Sequence, residues 1–156
     1  MPFTLIHGLI AFLIVSFFTK NQKLRLLAFV FGMLPDLDGI GLFFDMNLYY
    51  EFHHELFHAP VYGIILGIIF ALILDKFFKL DKIKVFAVVS FSFISHSVVD
   101  VFFTAWPVRL FWPFYSQNIS FPFLIEFNLL LAGIVFIGFL IQVFIEKKEI
   151  NKLNAK

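Results

Sequence analysis

Five histidines and three aspartates dominate the chemistry available to this chain. His7, His53, His54, His58 and His96 lie in or beside apolar segments, together with Asp36, Asp38 and Asp100. His96 and Asp100 stand four residues apart, so on one helix face imidazole and carboxylate can reach the same ion. His54 and His58 share that spacing, whereas His53 and His58 would sit well round a regular helix from one another. Pro35-Asp36-Leu37-Asp38 adds two carboxylates after a proline. Nitrogen and oxygen donors without sulfur suit Zn²⁺, Mn²⁺ or Fe²⁺ better than Cu⁺. The chain has no cysteine, which excludes disulfides, thiolate metal sites and cysteine nucleophiles.

The background makes these groups conspicuous. Of 156 residues, 61% are hydrophobic and 15% charged, 26 are Phe, and the net charge is +1. The mean hydropathy is +0.94. Soluble domains carry about a quarter charged residues, so this composition belongs to the membrane. No basic patch interleaves with aromatics, which excludes a nucleic-acid partner.

The apolar stretches predict an all-α, polytopic transmembrane bundle of five segments. They run over 3–18, 24–34, 61–74, 83–106 and 119–145. The second is about half the ~20 residues a crossing needs and ends at Pro35. Residues 1–146 would form one integral-membrane domain and 147–156 a basic tail. With the N-terminus outside, the inner segments hold Lys20, Lys23, Arg25, Lys76, Lys79, Lys82, Lys84, Lys147, Lys148, Lys152 and Lys156. Arg109 alone stays outside. Such one-sided placement of cations sets orientation.

Depth then follows from helical rise. Counted from the nearest inner cation, His7, Asp36, His96, Asp100 and His58 lie roughly 17–27 Å up. Four segments thus deliver polar groups to one band in the outer half of the membrane. Ionisable side chains at such depth pair, ligate or line a cavity. A shared metal site is the economical expectation, and irregular backbone after Pro35 requires protein or water around it.

The motifs and their order resemble the YdjM-like family of membrane-bound metal-dependent hydrolases. The matching elements are His7, Gly32-Met-Leu-Pro35-Asp36-Leu-Asp38, His53-His-Glu-Leu-Phe-His58, His96-Ser-Val-Val-Asp100-Val-Phe-Phe-Thr104 and Trp112-Pro113-Phe114. The resemblance implies His7, Asp36, Asp38, His53, His58, His96 and Asp100 as ligands to one or two divalent ions, zinc first. His54, Phe57 and Ala59 depart from the family's Arg, Thr and Ser. The motif favours His53 and helix spacing favours His54 as the partner of His58. The order of ligands is also similar to the front half of the pattern in zinc-dependent phospholipases C and their nuclease relatives, with Glu126 a candidate for a missing ligand or a supporting role.

The expected function is metal-dependent hydrolysis in the plasma membrane of a prokaryote. Asp36 or Asp38 would bridge ions or act as base. Thr104 and Arg109 would contact a substrate, and Arg109 is equally read as an interfacial anchor. Membrane lipids surround such a site, and a lipid-linked phosphoester could enter sideways past Tyr49, Tyr50, Trp106, Trp112 and Tyr115. The rival is a divalent-metal or proton transporter, since intramembrane His and Asp also mark ion paths. A third reading is a purely structural ion.

Overall fold

The computed structural model describes residues 2–47 and 57–154. Among them the chain is a helical bundle without a strand. Its helices are α1 (Thr4–Phe18), α2 (Gln22–Met33), α3 (Pro60–Phe78), α4 (Lys82–Phe103) and α5 (Asn128–Asn154). A 3-10 segment, Leu34–Phe43, prolongs α2, and a short 3-10 turn, Ile125–Phe127, precedes α5. Three helical stretches are long and apolar enough to cross a membrane: Pro60–Phe78, Lys82–Phe103 and Ile125–Lys152. Thr4–Phe18 is a shorter apolar helix.

Local chemistry sets the connections. Asn21 caps α2, its side chain accepting from the amides of Lys23 and Leu24. Pro60 starts α3, where a missing amide costs nothing. Lys79 ends α3 in the left-handed conformation (φ 52°), and the Asp81 carboxylate then caps α4 by accepting from the Lys84 amide.

Close helix contact depends on small residues. A Cβ at Gly32 would lie 2.9 Å from the His7 carbonyl, so α1 and α2 meet there backbone to backbone. Gly63 and Gly67 bring the α3 backbone against the Phe93 and Ser90 side chains of α4. The core between α1, α2 and α4 contains Ala11, Val15, Leu24, Ala28, Phe31, Val85 and Val89.

The charged ends gather at one end of the bundle. Lys20 pairs with Glu149 at 3.1 Å, Arg25 pairs with Glu146, and Lys23 lies over the Phe78 ring. The C-terminal ends of α1, α3 and α5 and the N-terminal end of α2 therefore share one level.

One expectation is corrected. The fifth apolar stretch is not helical from residue 119. Pro122 interrupts it, Ile119 pairs with Val108, and the segment docks on the end of α4. Phe121 and Leu124 donate to the Val101 and Phe102 carbonyls, and Asn128 donates to that of Phe103. Those carbonyls have no partner within α4, so an extended cap outcompetes a longer helix. At the other end, α5 continues as helix to Asn154, through most of the predicted 147–156 tail.

Candidate metal centre

Four donor atoms from three separate parts of the chain converge where α2, α3 and α4 approach. Asp36 comes from the 3-10 segment after α2, His58 from just before α3, and His96 and Asp100 from successive turns of α4. His96 Nε2 lies 3.0 Å from Asp100 Oδ2, 3.3 Å from Asp36 Oδ1 and 3.2 Å from His58 Nε2. His58 Nε2 lies 3.5 Å from Asp100 Oδ2 and 3.6 Å from Asp36 Oδ1. One ligand atom from each residue lies within 4.8 Å of every other.

The far side of each ring fixes its tautomer. His96 Nδ1 donates to the Gly32 carbonyl at 2.8 Å, and a carbonyl can only accept. His58 Nδ1 lies 3.1 Å from Asp38 Oδ2, an acceptor when ionised. In the neutral rings both Nε2 atoms then carry a lone pair, and both face the two carboxylates. Four lone-pair donors at this separation repel one another unless a cation lies among them. Nδ1 held by a carboxylate or backbone carbonyl is also the usual support of a metal-bound histidine.

The spacing fits a divalent ion. Zinc bonds nitrogen and oxygen at about 2.0–2.1 Å, so tetrahedral donors stand about 3.3–3.4 Å apart. The five separations above span 3.0–3.6 Å. Burial completes the picture: His58 and Asp100 are 0% exposed, His96 1% and Asp36 9%. Both carboxylate oxygens of Asp36 are buried as well.

The remaining candidates take other places. His7 is buried, stacks on His96 with centroids 3.8 Å apart, and brings Nε2 to 3.3 Å from Asp100 Oδ1, the oxygen turned away from His96. Asp38 stands behind His58. Thr104 is buried at the end of α4, where its hydroxyl oxygen accepts from the Trp106 amide. Arg109 lies half-buried beside the Val108–Ile119 bridge, its Nε donating to Asn118 at 3.2 Å. Glu126 is exposed in the turn before α5 and is not among the converging donors. His53, His54, Tyr49 and Tyr50 lie outside the described residues. Trp112 stacks on Tyr62, one turn into α3 beyond His58.

One participant carries no donor side chain that sequence patterns could flag. The Gly32 carbonyl orients His96, and only the short distance from Gly32 to Pro35 hinted at it. Ser97 is fully buried beside His96, and its hydroxyl finds no hydrogen-bond partner among the described residues.

Neither a search of curated proteins nor one of solved structures returns a match to this chain. A family model does match, and it covers the motifs that build the cluster as well as the apolar helices that bury it. Over residues 1–155 the match is to the YdjM inner membrane protein family, and the chain belongs to it.

Proposed function

We propose that this membrane protein is a metal-dependent hydrolase that cleaves a phosphoester of a lipid-linked substrate. Its ion would be zinc, with manganese or iron as alternatives, held by Asp36, His58, His96 and Asp100. The observation that carries this reading is the convergence of four donors whose two imidazoles are each backed at Nδ1. A bound divalent ion polarises a phosphoryl oxygen and brings the pKa of water to about 7.

The chain's own residues supply the rest. Asp36 turns Oδ1 toward the two histidines. Its second oxygen can take a proton from an attacking water. Asp38 holds His58 in register, and His7 steadies the far oxygen of Asp100. Arg109 would meet a phosphate as a fork of donors. The inner cations favour a site in the outer half of a prokaryotic plasma membrane, with the N-terminus outside. A lipid reaches that level sideways, past Trp112 and Tyr62, more easily than a polymer does.

A structural ion is the second reading, favoured because four protein donors already complete a tetrahedron. The transporter reading gains less support. The layer between the cluster and the charged end is Ala11, Ala28, Phe31, Val85 and Val89, with no ionisable side chain among these core residues.

The test is a panel of phospholipids, lipid phosphates and polyprenyl phosphates offered to the protein in bilayers. Hydrolysis should vanish with chelator and return with Zn²⁺ or Mn²⁺. Tightly held metal with no hydrolysis of any phosphoester would favour the structural reading. Metal flux into sealed vesicles would favour transport.

A further inference from the structure

Gly32 and His96 are joined by a hydrogen bond that an ordinary helix would not permit. A carbonyl inside an α-helix is already engaged by the amide four residues on. The Gly32 carbonyl would receive the Asp36 amide in that register, or the amide of residue 35 in a 3-10 register. Residue 35 is proline, which has no amide hydrogen to give the Phe31 carbonyl in an α register or the Gly32 carbonyl in a 3-10 register. The α-helix accordingly stops at Met33, and 3-10 backbone starts at Leu34. In a 3-10 register the Asp36 amide is directed to the Met33 carbonyl and not to that of Gly32. The Gly32 carbonyl is thereby left to the His96 Nδ1–H, 2.8 Å away in a fully buried setting.

We infer that Pro35 is a positioning residue for the metal centre: by withholding an amide hydrogen it frees the Gly32 carbonyl to orient His96. Pro35 is itself fully buried, so its ring is part of the packed wall and not an exposed turn. Gly32 contributes twice, because a Cβ there would strike the His7 carbonyl and Ala11 and push α1 away. The same residue that presents its carbonyl to His96 thus lets His7 stack on that ring. The spacing from Gly32 to Pro35 and on to Asp36 becomes one device: an acceptor, the residue that keeps it vacant, and the carboxylate carried to the cluster by the change of register.

This inference rests on the proposed metal centre, and its test separates the two. Zinc affinity is measured by chelator competition for the native chain, for Pro35→Ala, and for a chain carrying lactic acid at position 35. Lactic acid has alanine's side chain but an ester in place of the amide, so it lacks both the proline ring and the amide hydrogen. Pro35→Ala should weaken zinc binding about 10- to 100-fold, as loss of a ligand's supporting hydrogen bond does. The lactic acid chain should bind like the native one. Equal affinity in all three overturns the inference and leaves the metal centre standing. Equal weakening in both substituted chains also overturns it, because the ring would then be what matters. A native chain that binds no zinc overturns both. Should Pro35→Ala fail to fold, the native protein still decides. Solid-state NMR with ¹⁵N-histidine and ¹³C-carbonyl glycine should place His96 Nδ1 about 4 Å from the Gly32 carbonyl carbon. A clearly longer distance overturns the proposal.

Discussion

Asp38 Oδ2 lies 3.1 Å from His58 Nδ1, on the side of the ring opposite to the nitrogen that faces Asp36 and Asp100. A carboxylate in that place fixes the tautomer and raises the basicity of the other ring nitrogen. Asp38→Ala should therefore weaken zinc binding about 10- to 100-fold although all four donors remain. Asp38→Asn keeps an oxygen acceptor and should lose less. Chelator competition on the two purified variants measures the difference, and unchanged affinity in Asp38→Ala would remove Asp38 from the site.

The donors themselves should behave differently from their supports. His96→Ala or Asp100→Ala should lower the zinc content of purified protein while leaving its helical circular dichroism intact. Neither side chain takes part in capping α4, whose ends are held by Asp81 and by the 119–128 segment. Full occupancy in an Asp36/His58/His96 triple alanine variant would show that the metal is held elsewhere.

Asp36 is expected to separate binding from turnover. Asn at this position keeps one oxygen toward His58 and His96 and loses the capacity to take up a proton. Asp36→Asn should depress kcat strongly on a lipid phosphate and change KM little. A variant with native kcat would exclude Asp36 as the base.

How much of this was legible in the sequence differs by element. Apolar runs and flanking lysines located α3 and α4 to within a few residues, because a membrane span is defined by composition over its whole length. His96 and Asp100 were legible as a pair because helical spacing alone brings them together. The fifth span was misplaced at its start because hydropathy cannot distinguish a helix from an extended apolar segment that caps another helix, as Ile119–Leu124 caps α4. The division between donors and supports was illegible for the same kind of reason. Asp36 and Asp38 are two residues apart with identical chemistry, and only the 3-10 turn decides which of them faces His96. No side-chain pattern could announce the Gly32 carbonyl.

Membrane orientation should follow the cations. A reporter fused at the C-terminus should be cytoplasmic, and a tag inserted in the 107–118 segment should be accessible from outside. The charged contacts of Lys20, Lys23 and Arg25 with the ends of α3 and α5 place those basic segments at one level. They should therefore all be protected from an impermeant amine reagent in sealed cells. Labelling of Lys82 or Lys84 from outside would reverse the orientation and turn the cluster toward the cytoplasm.

The glycines of α3 and α5 make opposite predictions for the same substitution. A Cβ at Gly67 would strike Ser90 Oγ and stand 3.2 Å from the Phe86 carbonyl. Ser90 cannot simply turn away, since its hydroxyl donates to the Gly63 carbonyl at 3.0 Å in the buried α3–α4 seam. Either that bond breaks or the helices part. Overpacking of this kind costs about 1–3 kcal/mol. At Gly133 a Cβ meets nothing within 4 Å. Alanine there should be neutral, or stabilise by up to about 1 kcal/mol through helix propensity. Thermal unfolding in detergent should accordingly show a lowered midpoint for Gly67→Ala and an unchanged or raised one for Gly133→Ala. Because the α3–α4 seam also seats His58 against His96, Gly67→Ala should lose zinc on heating before Gly133→Ala does. Equal midpoints for the two variants would mean that α3 and α4 do not meet at Gly67 and Ser90.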